Sequence, residues 1–110
     1  MPLKSHGDIT ELLHQFTIVL CQPSHPGNIG AAARAMKTMG LINLSLVSPH
    51  LIKTPLTDNP PVFNPSDPGS FRLPEESYIL SSGARDVLDS AVFYPDLKEA
   101  LRGTHWVCAL

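Results

Sequence analysis

Hydrophobic and polar positions along the chain change their period several times. Phe16 to Cys21 (FTIVLC) is a continuous apolar run rich in β-branched residues and bounded by Pro23 and Pro26, which predicts a strand covered on both faces, as in a parallel sheet. From Ile29 to Met39 the spacing becomes helical. Ile29, Ala32, Ala33, Met36 and Met39 recur at i, i+3, i+4, i+7 and i+10, one stripe suited to packing on a sheet, and Gly40 is placed to cap the C-terminus. Asn43 to Val47 (NLSLV) follows as a second strand. Strand, helix and strand in this order predict a βαβ unit, a crossover that is right-handed in about 98% of cases.

Periodicity then lapses. Residues 48–74 hold seven of the chain's eleven prolines, Pro60 and Pro61 among them, and are expected to form a long loop, Ser48 to Pro74. A helix is expected from Glu75, where Glu75 and Glu76 suit the positive end of the helix dipole, to about Ser82, stopping at Gly83. Asp86 to Ser90 reads as a short turn and Ala91 to Tyr94 as a short strand. Asp96, with Glu99 three residues on, forms a capping-box pattern for a helix Leu97 to Leu101 capped by Gly103, and Thr104 to Leu110 (THWVCAL) is a last apolar strand. The pattern describes an N-terminal tail, 1–15, and one α/β unit, 16–110, with an open parallel sheet and flanking helices. At 110 residues the chain supports one core and not two. A sheet that ends in a core strand leaves two expectations: function uses the first βα loop alone, or the chain is a piece of a longer one.

Charge narrows the place where function is sought. The net charge is −2, without the protein-wide basic field of an obligate nucleic-acid wrapper. Between Leu12 and Thr57, however, there is no acid, while Arg34, Lys37 and Lys53 are basic; residues 58–110 carry eight acids against four bases. An anion-binding surface is therefore expected in the first half. Cys21 and Cys108 lie in apolar runs without CxxC or Cys/His ligand spacing, so they read as buried thiols of a reducing compartment, with no metal site. No apolar run reaches the roughly 18 residues of a membrane span, and Met1 to Gln15 lacks a signal-peptide core, so a cytoplasmic protein without membrane contact is expected.

The segment that carries candidate chemistry is Ser24 to Gly40. Gly27, Gly30 and the alanines around them permit close approach of backbone to a ligand or to a neighbouring helix, and a helix start favours an anion. Arg34 and Lys37 project from another face than the apolar stripe. The turn PGNIG is neither GxGxxG nor a Walker A loop, and on spacing alone a tight turn with solvated basic residues explains it as well.

HPGNIGAAARAMKTMGLINLSLVSP, His25 to Pro49, resembles the first signature motif of the SpoU/TrmH branch of the SPOUT methyltransferases, and within it the TrmJ-like tRNA 2′-O-methyltransferases; SSGARDVLDSAVFYPDLKEAL, Ser81 to Leu101, resembles the segment that follows in the same family. The resemblance implies a Rossmann-like parallel sheet, an enzyme that transfers a methyl group from S-adenosylmethionine to an RNA ribose 2′-hydroxyl, and a homodimer. It also implies that the C-terminal trefoil knot and the cofactor site would lie beyond Leu110, leaving this chain as the N-terminal, substrate-side portion without cofactor-binding residues, and it suggests the tRNA anticodon loop as partner. It carries Asn28 and Arg34 as the residues associated with substrate and catalysis. Arg34, always protonated, suits a two-pronged clamp on phosphate or ribose better than a general base. Asn28 holds the ribose or caps the helix. His25, Lys37, Gly27 and Gly30 complete the candidate RNA contacts, each with a bland alternative in a solvated side chain or a tight turn. Trp106 reads as core. The competing functions are a non-catalytic α/β module that binds RNA or protein, and a small nucleotide-phosphate-binding domain.

Overall fold

The protein is described by a computed structural model covering residues 6–102 and 106–109. The cap expected at Gly103 and the expectations for the side chains of Trp106 and Cys108 lie outside the described residues. Segment 1–15 contains a helix, α1 (His6–Leu13), ahead of β1 (Phe16–Cys21), α2 (Pro26–Met39) and β2 (Asn43–Val47). A single 3₁₀ turn at Pro68–Ser70 interrupts the long loop, and α3 (Glu75–Ser81), α4 (Arg85–Asp89), β3 (Val92–Tyr94), α5 (Leu97–Leu101) and β4 (Trp106–Ala109) complete the order.

All pairings are parallel and the strand order is β3-β2-β1-β4. The chain thus steps from β1 through β2 to β3, then returns to the other side of β1. Because each crossover keeps a right hand, reversing direction puts the connecting helix on the opposite face. Accordingly Ile18, Leu44 and Leu46 pack with Ile29, Ala33, Met36, Val87 and Leu88 under α2 and α4, whereas Val19 and Val47 pack with Ala100 of α5. Alternate residues of β1 serve opposite faces, Ile18 one and Val19 the other, which is why FTIVLC reads as an apolar run rather than an alternation. The order reverses at β1, and an open sheet of this kind offers its crevice at that point, beyond the carboxyl ends of the strands.

Two expectations are corrected. Cys21 is exposed, since β1 leaves the core at its carboxyl end before the chain turns out at Gln22. Met39, 56% exposed, is off the buried face of α2, and Ala32 is only half-buried. The reason is that α2 is covered by α3 as well as by the sheet, so its buried arc is rotated to take in Pro26, Gly27 and Gly30.

Gly30 sits at the crossing. A Cβ there would stand 2.1 Å from the backbone oxygen of Ser77, while Ser77 Oγ donates a buried 2.8 Å hydrogen bond to Pro26 O. The neighbour is backbone and cannot swing aside. Gly30→Ala is expected to destabilise the protein by about 1 to 3 kcal/mol through overpacking, against a gain of up to about 1 kcal/mol from helix propensity. Denaturant titration gives the sign, and increased stability would show that α3 is free to move away.

Candidate RNA-side site at the start of helix α2

The β1–α2 connection is bent by Gln22, whose φ of 50° is left-handed, and its N–H donates to Val47 O at 2.7 Å. Pro26 then occupies the first turn of α2, where its missing N–H costs nothing. His25 is the N-cap: Nδ1 accepts from Gly27 N–H at 3.1 Å, an arrangement that leaves Nδ1 without a proton. The side chain of Asn28 is therefore not the cap. It is exposed and lines two cavities, an open groove of about 620 Å³ along the outer face of α2 and a smaller recess of about 270 Å³ at the end of β1.

His25, Gly27, Asn28 and Arg34 line the groove together, with Leu80 of α3 on the far wall. Arg34 is exposed, and among the described residues its guanidinium has no acidic partner. Lys37 does not project with it. It reaches across to Asp86 of α4 at 2.6 Å, and this hydrogen bond holds the Asp86 carboxyl below its ordinary range. Gly30 is not on the open surface either, being buried beneath α3, and Gly27 is buried with its α-carbon facing Leu80 and Glu76. Of the two close approaches open to these glycines, the one to a neighbouring helix is the one made.

Sequence reasoning missed a buried carboxylate. Glu76, 4% exposed, accepts from the hydroxyls of both Thr54 and Thr57, the latter at 2.7 Å, and its second oxygen faces His25 Nδ1 at 4.0 Å. That last distance exceeds a hydrogen bond and Nδ1 is already an acceptor, so the contact is one of proximity rather than an ion pair. Thr54 and Thr57 close a turn on themselves, Thr54 N–H to Thr57 O at 2.9 Å and Thr57 N–H to Thr54 Oγ1 at 2.9 Å. The available signal was T-P-L-T, with proline at the second position of a turn. Nearby, His50 N–H donates to Pro23 O and Ile52 N–H to Ser24 O, so the long loop runs beside the β1–α2 connection.

Among the described residues no helix is long and apolar enough to cross a membrane, and no group of three or more His, Cys, Asp or Glu is placed to hold a metal. The molecule is thus a parallel α/β sheet with an open groove after its first strand. Comparison with known proteins narrows this. The chain is 44% identical over 92 residues to the tRNA (cytidine/uridine-2′-O-)-methyltransferase TrmJ of Yersinia enterocolitica, covering 84% of this chain and 28% of that protein. It is 40% identical over 93 residues to the TrmJ of Sodalis glossinidius, covering 84% and 28%. Among solved structures, a methylase family protein of Neisseria gonorrhoeae superposes with a TM-score of 0.81 at 54% identity, over 92% of this chain and 45% of that one. TrmJ of Z. mobilis ZM4 gives 0.56 at 30% identity, over 77% and 30%. No family model matches. The chain is related to the TrmJ tRNA 2′-O-methyltransferases and spans a little over a quarter of the length of the curated relatives it matches.

The threonine hydroxyls, more than the nearby His25, hold the Glu76 carboxyl below the ordinary glutamate range in spite of its desolvation. A depressed folded value means stability present above the unfolded value of about 4.3 and lost as pH falls through the folded one. Melting temperatures measured between about pH 6 and pH 3 should accordingly fall more steeply for the parent protein than for Glu76→Gln. Parallel slopes would show that the carboxylate does not titrate with folding.

Proposed function

We propose that this chain is the N-terminal, substrate-side portion of an S-adenosylmethionine-dependent tRNA ribose 2′-O-methyltransferase of the SPOUT type, a cytoplasmic homodimer acting on the anticodon loop. The observation that carries the reading is Arg34: an exposed cation without an acidic partner among the described residues, on the wall of the groove that also presents Asn28, in a chain related to TrmJ enzymes.

The residues around the groove do not fit the methyl donor. Both cavities at the α2 N-terminus are open, and among the described residues no carboxylate lines them to take ribose hydroxyls, so the pocket for S-adenosylmethionine is assigned to another part of the enzyme. What these residues do is bind and orient RNA. A ribose hydroxyl attacks a methyl group most readily when the flanking phosphate is neutralised and held still. Arg34 supplies a planar fork of donors for that phosphate or for the ribose, and Asn28 supplies an amide able both to donate and to accept. Lys37 contributes less to this field because Asp86 already neutralises it.

In the complete enzyme, Arg34→Lys keeps the charge and loses the fork, whereas Arg34→Ala loses both. With each charge-assisted bond contributing about 1.5 to 3 kcal/mol, Ala should lower kcat/KM for tRNA by roughly ten- to a hundredfold and Lys by less, with S-adenosylmethionine binding unchanged. Methyl transfer by Arg34→Ala within about twofold of the parent would remove Arg34 from the site.

A further inference from the structure

We infer that Glu76 is a positioning residue of this site: by accepting from Thr54 and Thr57 while its second oxygen lies beside the His25–Gly27 cap, it fixes the 54–57 turn against the start of α3, the helix whose Leu80 closes the groove that Asn28 and Arg34 line. The inference rests on the reading of that groove as the RNA side of the enzyme, and it adds a residue that lies outside the motif which suggested that reading.

A buried carboxylate is costly, and a neutral side chain would start α3 more cheaply. What Glu76 does that an apolar side chain does not is bond the turn at 54–57 to the first turn of α3, with its second oxygen lying beside the His25–Gly27 cap. The loop needs such a joint. Its prolines deny it helix and sheet hydrogen bonds, so its position depends on a few fixed points. Toward the β1–α2 connection and α3 these are His50 N–H on Pro23 O at 3.0 Å, Ile52 N–H on Ser24 O at 2.8 Å, and the two threonine hydroxyls on Glu76. The first two attach the loop to the connection that carries His25; the third attaches it to the helix whose Leu80 closes the groove. Charged or titratable groups facing Glu76 are few: His25 from the β1–α2 connection, with Gly27 from α2 and the threonines from the loop supplying no charge. An ionised acceptor can hold both hydroxyls more strongly than an amide oxygen does.

The test uses the complete enzyme with tRNA substrate. Glu76→Gln is expected to raise amide exchange at Thr54 and Thr57 about tenfold while β1 and β2 stay within about twofold, and to raise KM for tRNA about tenfold with kcat within about threefold. A purely structural residue would instead change exchange in the strands and leave the split between KM and kcat unmoved. Unchanged exchange at 54–57, or raised exchange with KM within about twofold of the parent, overturns the proposal. Should Glu76→Gln fail to fold, Thr57→Val decides, because it removes one donor and leaves the carboxylate bonded to Thr54: a KM for tRNA raised about threefold or more sustains the proposal, and an unchanged KM overturns it. Arg34→Ala measured in parallel separates this proposal from the functional reading. A loss there with no effect at Glu76 overturns the Glu76 proposal alone, while a raised KM in Glu76→Gln with Arg34→Ala inert overturns the Arg34 assignment and leaves Glu76 standing.

Discussion

The close crossing of α2 and α3 at Gly30 sets the height at which every other part of the site lies. Backbone of Ser77 occupies the space where a side chain of residue 30 would begin, and the Ser77 hydroxyl is bonded to Pro26 O at the start of the same helix. With α3 held at that distance, the residue before Ser77 brings its carboxylate to Gly27 and the His25 ring, and the residue one turn after Ser77's neighbour, Leu80, becomes the far wall of the groove. A side chain at position 30 would lift α3 and move both. The glycine is therefore required by helix packing rather than by a ligand.

Such a crossing draws polar groups inward, and they are tolerated because each is bonded. Thr54, Thr57, Glu76, Ser77 and Ser81 are all buried, and among the described residues no buried side-chain nitrogen or oxygen lacks a partner. Ser81 returns its hydroxyl to Tyr78 O within its own helix, whereas Ser77 and Glu76 reach other segments. The distinction matters for specificity. A self-satisfied serine permits burial of a helix face without fixing its partner, while a cross-segment bond accepts one arrangement and penalises the others through the desolvated group left unpaired.

What was legible in the sequence was whatever depends on neighbours along the chain. β1, β2 and the βαβ order follow from apolar runs and punctuation, and α5 begins where Asp96 accepts from Glu99 N–H as its capping pattern predicts. The motif also brought His25, Asn28 and Arg34 to one groove. Glu76 was not legible: a pair of glutamates at a helix start satisfies the dipole argument completely, and its true partners lie 19 and 22 residues away. Met39 and Cys21 failed for a related reason. Period places a residue on a stripe, but whether the stripe is covered by a sheet, by a second helix, or by nothing is settled by topology.

The charge pattern gains its meaning only in three dimensions. The acid-free stretch from 12 to 57 carries Arg34, Lys37 and Lys53, and as a linear feature it suggests a diffuse basic patch. Folding brings the acidic half against it selectively: Asp86 takes Lys37, and Asp58 lies 3.5 Å from Lys53. Both pairs are exposed and worth little in stability, where solvent screens them. Their larger effect is on the field, since two of the three cations are paired and, among the described residues, Arg34 beside Asn28 on the groove is not. In general, one guanidinium fork next to an amide favours a bidentate anion in one orientation, where three free cations attract polyanions without regard to register.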